Sequence, residues 1–324
     1  MTLRARTGLA PDPWRTRRWA LSAVVAFDLV AFFAFIPRAF ERAAAATFEL
    51  AWWVRIVAAL PGRTAVVVAG LVATLAFARR RAPILGGALA LVALGLLSHA
   101  HAALNGAPWR HLYYSGIGLL GWLVGLGFAR ARGLPDEQRH AFVVTVALLG
   151  AAYFNAGLSK LLLSGLEWLA GDTLRHTVVA QDGLLGAGRL HDLRLALVDT
   201  PALAAALATA TVALELGGLL FLVGPRARAL VAAGLVLMHL SIFVLTGIAY
   251  VESIAVLIIF AWPHPELMRP PVPDEPPRRR LAQAPALAPP GPRATLLGAL
   301  VLGLFAALAI ARQGLDAADR ARPD

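Results

Sequence analysis

The chain has 324 residues, 59% hydrophobic and 15% charged, with a mean hydropathy of +0.68 and a formal charge of +11. This composition excludes an ordinary soluble domain and describes a polytopic membrane protein. There is no cysteine, so disulfides, thiolate metal sites and a cysteine nucleophile are excluded.

Residues 1–18 form a basic N-terminus with Arg4, Arg6, Arg15, Arg17 and Arg18, followed by an apolar run over 19–36. That run is long for a signal-peptide core and lacks a small-residue cleavage site, which predicts a retained first helix. Asp28 falls near its middle, where a polar neighbour inside the bundle is the plain reading and a catalytic role the sharper one. Residues 37–63 mix Arg38, Glu41, Arg42, Glu49 and Arg55 with apolar groups and the pair Trp52 and Trp53, as an interfacial amphipathic helix would. Further spans are expected at 64–78, 83–101, 111–129, 140–163, 201–224, 229–246, 248–262 and 294–311, nine in all. The predicted fold is an all-α transmembrane bundle with its main membrane domain over 19–262.

With the N-terminus in the cytoplasm, the inner loops receive Arg79 to Arg81, then Arg130, Arg132 and Arg139, then Arg226 and Arg228, then Arg269 and Arg278 to Arg280. The clusters report orientation and not nucleic-acid binding. The Pro- and Arg-rich stretch 263–293 reads as an extended cytoplasmic linker, 294–311 as an anchoring helix, and 312–324 as a polar tail.

The most informative stretch is YFNAGLSKLLLSGLEWLAGD, residues 153–172. Lys160 lies about three residues before the outer end of the predicted fifth span. A lysine at mid-membrane costs about 3 kcal/mol on insertion scales, so it either reaches water or serves a task. Tyr153, Gly157 and Lys160 recur at helical spacing, putting the ammonium on one face with a phenol and a small residue that permits close approach. In the predicted topology His99, His101, Asn105, Trp109, His111, His239 and Glu252 join Lys160 in the outer half, with Glu215 nearer the inner side. A lysine withdrawn from water in such a site can serve as a base. The structural alternative is an ion pair between Lys160 and Glu167 or Glu252. His99, His101 and His111 match no specific ligand pattern, and no metal is expected. His239 is read equally as a helix-to-helix hydrogen bond, and Trp168, Trp52, Trp53, Tyr113 and Tyr114 as interface aromatics.

The same stretch resembles the signature of the horizontally transferred transmembrane domain family, which includes the membrane part of vitamin K-dependent gamma-carboxylase. Tyr153, Ala156, Gly157, Lys160, Trp168 and Gly171 carry the match. WRHLYYSGIGLL resembles the segment in which a histidine opens a helix, here His111, with Arg110 where the family has asparagine. LMHLSIFVLTGIAYVESIAVLIIF resembles the later histidine-bearing helix pair, with His239 in place and Ile242 where the carboxylase has asparagine. The resemblance spans about residues 15–265, and the large lumenal domain of the animal enzyme has no counterpart.

The resemblance implies a quinol- and oxygen-dependent enzyme of the carboxylase type. Lys160 would be the base and His111 would orient a quinol oxygen, with Tyr153, Gly157, Trp168, His239 and Glu252 around the bound molecule. The cofactor would be a reduced naphthoquinone, menaquinol or vitamin K hydroquinone, drawn from the bilayer. A peptide or protein substrate, or a partner subunit, would meet the outer face. Alanine and arginine richness fits a bacterial cytoplasmic membrane and menaquinone. Two other classes remain open: a non-catalytic quinone- or lipid-binding subunit, and a transporter.

Overall fold

The computed structural model describes residues 13–45, 51–104, 114–185, 190–248 and 250–261, and these form helices with no strand among them. The helices are α1 (Pro13–Ala45), α2 (Trp52–Ala58), α3 (Leu60–Ala78), α4 (Pro83–Leu104), α5 (Tyr114–Ala131), α6 (Glu137–Ser164), α7 (Asp172–Leu185), α8 (His191–Val198), α9 (Pro201–Leu216), α10 (Pro225–Thr246) and α11 (Val251–Ala261). Short 3-10 segments prolong α6 over Gly165–Ala170 and α9 over Gly217–Leu222.

Six stretches are long and apolar enough to cross a bilayer: Trp14–Pro37, Leu60–Ala78, Pro83–Leu104, Glu137–Ala170, Pro201–Leu222 and Pro225–Thr246. They make this an integral membrane protein. Proline opens α9 and α10, where its missing N–H costs nothing. Asp136 caps α6 by accepting from the Arg139 N–H.

The helices differ from expectation in four places. First, α1 continues through Pro37 to Ala45, so the stretch 37–63 is not one interfacial helix but the end of α1, the short α2 and the start of α3. Second, α6 does not stop at 163. Gly165 at φ +59° and Gly171 at φ +83° take left-handed conformations that disfavour a side chain, and between them the chain runs on to Ala170. Third, α7 and α8 occupy the connection to α9 and bury Val178, Leu197 and Ala204 as a small satellite core. Fourth, the expected span 248–262 is described as α11, 11 mostly buried residues, and is not among the stretches long and apolar enough to cross a bilayer. The linker, the 294–311 segment, His111, Asn105 and Trp109 lie outside the described residues.

The main core is aromatic at its centre. Phe260 of α11 meets Trp122 of α5 at 6.0 Å between ring centroids and Phe142 of α6 at 6.2 Å. α1 threads this core, touching α3, α4, α5 and α11.

The buried arginines have a shared task. A helix ends with carbonyls that lack partners, and in apolar surroundings each needs one. Arg18 Nε donates to Ala78 O of α3 (3.0 Å), and its Nη1 to Gln138 Oε1 (3.2 Å). Arg17 Nε donates to Ile259 O of α11 (3.0 Å), Arg63 Nη1 to Ala58 O of α2 (3.1 Å), Arg175 Nε to Val198 O of α8 (2.7 Å), and Arg194 Nε to Leu245 O of α10 (3.1 Å). Apart from the Gln138 side chain, the acceptors are carbonyls in the last described turn of a helix, where the dipole also favours a cation. Through Arg17, Arg18 and the Trp14–Phe142 contact, the starts of α1 and α6 meet the ends of α3 and α11 at one end of the bundle.

Candidate functional site

Lys160 is the sole lysine among 30 basic residues. It sits on the α6 face that also carries Tyr153 and Gly157, and its Nζ donates to both carboxylate oxygens of Glu215 on α9, each at 2.6 Å. Its side chain is 23% exposed and that of Glu215 only 8%, so the pair lies largely inside protein.

Glycines bring the two helices together. A Cβ on Gly157 would stand 3.0 Å from both Glu215 Cβ and Leu216 N, and one on Gly150 would stand 2.5 Å from Gly218 O. The group that Gly157 admits is therefore α9 itself, and Gly157 adjoins a helix rather than an open binding surface.

The partner of Lys160 corrects the expected one. Glu167 is exposed on the 3-10 segment, and Glu252 stands in the first turn of α11, where it accepts from Ser253 Oγ (3.3 Å). The physical reason is the approach of α9: Gly157, one turn before Lys160 on the same face, lets Glu215 come close enough to meet the amine. Trp168 then folds back so that Lys160 Nζ lies 5.4 Å from the centroid of its ring. The indole Nε1 is buried and has no hydrogen-bond partner among the described residues.

One turn of α6 and more before Lys160, Tyr153 begins a second cluster. Its hydroxyl and His239 Nε2 of α10 are hydrogen-bonded at 3.0 Å. Tyr114 at the start of α5 stacks on Tyr153, centroids 4.6 Å apart and planes at 25°, while Tyr250 covers His239 at 5.1 Å. His239 is buried, and its Nδ1 has no hydrogen-bond partner among the described residues. The two clusters are in electrostatic reach of each other, Lys160 acting on His239 and Glu215 on Tyr114.

Asp28 closes the site from α1. Ser115 Oγ donates to its Oδ2, and Glu252 acts on it electrostatically, so the carboxylate has the polar neighbour that its depth demands. Lys160, Tyr153, Gly157, Trp168, His239 and Glu252 thus belong to one region built by α1, α5, α6, α9, α10 and α11. Glu215, Tyr114, Tyr250 and Ser115 were not anticipated as members. Glu215 had a signal: it is the one carboxylate in the otherwise apolar run 201–222.

The outer histidines do not join them. His99 stacks on Trp53 at 5.5 Å and His101 packs on Phe32 at 5.6 Å, on different sides of α4. Among the described residues no three His, Asp or Glu side chains come together as a metal set. Chemically, the region offers a proton shared by an amine and a carboxylate, two stacked phenols, and two buried nitrogen atoms with unused hydrogen-bonding capacity. Compared with family models, characterised proteins and solved structures, the chain matches none.

Proposed function

We propose that this protein is a membrane enzyme of the horizontally transferred transmembrane domain family, acting with a reduced naphthoquinone and oxygen in the manner of the vitamin K-dependent carboxylase. Nine spans with a cytoplasmic N-terminus in a bacterial cytoplasmic membrane put the arginine-rich end inside and the Lys160 region in the outer half.

The observation that supports this most is the pairing of a single intramembrane lysine with Glu215 beside two buried nitrogens that lack partners. Trp168 Nε1, on the ring that Lys160 Nζ approaches, and His239 Nδ1, on the ring bonded to Tyr153, are buried without partners among the described residues, and such atoms are costly unless a ligand supplies one. A quinol has two oxygens and an apolar ring, which suits an indole N–H, an imidazole and stacked tyrosines. When bound, the quinol would supply, with oxygen, a base strong enough to remove a carbon-bound proton.

The residues of this chain would manage protons and position. For its Nζ to act as a base, Lys160 would pass a proton to the Glu215 carboxylate 2.6 Å away. His239, fixed through Nε2 by Tyr153, would present Nδ1 to an oxygen of the bound molecule. Trp168 would shield the amine from water.

A second reading is favoured by the same ion pair. A bidentate Lys160–Glu215 contact across two helices is what a non-catalytic quinone- or lipid-binding subunit would use as a strut. The discriminating experiment is oxidation of reduced menaquinone by the protein in lipid, comparing wild type with Lys160→Ala. Oxygen-dependent epoxide formation that disappears in Lys160→Ala, with the variant folded and inserted, is the expected result. A quinol untouched by the wild type would remove the enzymatic reading and leave the strut.

A further inference from the structure

At the arginine-rich end, Phe142 of α6 is held between two guanidinium groups. Arg17 Cζ of α1 lies 4.9 Å from the ring centroid and Arg228 Cζ of α10 lies 5.5 Å from it. Trp14 packs against the same ring at 5.6 Å and also lies under Arg17 at 5.9 Å. Each cation gains from a ring face, but two like charges on one ring repel in surroundings of low dielectric.

Their anchorage differs. Arg17 spends Nε on the Ile259 carbonyl. Arg228 Nε is buried and has no hydrogen-bond partner among the described residues, and none of the ion pairs among them involves Arg228. An anion at Arg228 would satisfy that donor and offset the second positive charge beside the ring.

What adjoins the arginines decides the source of the anion. Arg228, Ala232, Val236 and Leu240 recur every four residues, which puts them on one face of α10. The last three, with Ala233 of α10 and Leu257 and Ile258 of α11, line an apolar groove of about 280 Å³. Arg228 stands one turn before Ala232 on that face, and Ile258 directly precedes Ile259, whose carbonyl Arg17 holds, so both arginines are anchored on elements that build the groove. A soluble phosphate would use the arginines and leave the groove empty, and a neutral lipid would do the reverse.

We propose that this is a binding site for an anionic phospholipid, with its phosphate at Arg228 and an acyl chain in the groove between α10 and α11. Basic residues between helices near a membrane surface, joined to an apolar cleft, match both parts of such a molecule. The site is separate from the Lys160 region and does not depend on the activity proposed for it.

The test is native mass spectrometry and thermal melting of the full-length, delipidated protein, titrated with phosphatidylglycerol, phosphatidylcholine or glycerol phosphate alone. Phosphatidylglycerol should be retained and should raise the melting midpoint, and the other two should do neither. Arg228→Gln should weaken retention about fivefold, the effect of one basic contact to an anionic lipid. Ala233→Phe, which fills the groove and keeps both arginines, should weaken it as well, and it decides the matter if Arg228→Gln does not fold. Equal retention of the two lipids, stabilisation by glycerol phosphate alone, or wild-type retention by Ala233→Phe would overturn the proposal. So would efficient cross-linking in membranes of Ala233→Cys with Gly303→Cys, since the chain's own 294–311 segment would then fill the groove.

Discussion

The two ends of α6 show two ways of keeping a cation in an apolar bundle. Near its start, arginines dominate, and those that are buried donate to backbone: Arg17 and Arg18 hold the last carbonyls of α11 and α3. Near its end stands one lysine, and it faces a carboxylate, with both oxygens of Glu215 on Nζ. The guanidinium is planar, permanently charged and forked, so it can bind a helix terminus and a second acceptor together, as Arg18 does. The ammonium is compact and can give up its proton. Arginine stands at every other Lys or Arg position of this chain, and lysine only where the partner is a carboxylate across two helices.

The contrast would break most visibly at Glu215. Glu215→Leu leaves Lys160 without a counter-charge and should cost about 3 kcal/mol, read as a lowered melting midpoint in detergent. Lys160→Met combined with Glu215→Leu should recover most of that loss. A double variant no more stable than Glu215→Leu would mean the pair is not the unit described here. At the arginine end, Arg18→Met should cost about 2 kcal/mol through two lost charged hydrogen bonds. Arg18→Lys should recover only part, because an ammonium cannot span Ala78 O and Gln138 Oε1 as a fork. Equal stability of the arginine and lysine forms would remove the geometric argument. The smallest effect belongs to Trp168→Leu, which deletes a cation–π contact worth about 0.5–1 kcal/mol, and comparison of its midpoint with that of wild type measures it.

The apolar runs made the helices legible from sequence, since burial or lipid contact along a whole element leaves an unmistakable pattern. Eight of the nine expected spans coincide with a helix, six of these are long and apolar enough to cross a bilayer, and the ninth lies outside the described residues. Boundaries were less legible where glycine conformation, and not hydropathy, decides them. Gly165 ends the α-helix within one residue of the expected 163, but a 3-10 segment then carries the chain on to Gly171, which hydropathy did not show. The spacing of Tyr153, Gly157 and Lys160 showed a polar face with room for a neighbour but could not say which helix would fill it. That choice was made 58 residues later, by Gly157 meeting Glu215 and by Gly150 meeting Gly218. α7 and α8 escaped notice because their satellite core rests on three small or medium side chains in a polar stretch.

The contacts of α1 also impose an order in time. It is synthesised before every partner of its polar residues: Ala78 and Gln138 for Arg18, Ser115 for Asp28, and Ile259, 242 positions away, for Arg17. A nascent α1 released alone into lipid would carry a carboxylate with nothing to answer it. Asp28 therefore gains Ser115 as its partner only once α5 has been made, and the Arg17 end of α1 is locked only when α11 arrives. Ribosome-bound chains truncated before Ser115 should leave α1 extractable, while those extended past Ile259 should not. In this protein the helix made early is the one finished late.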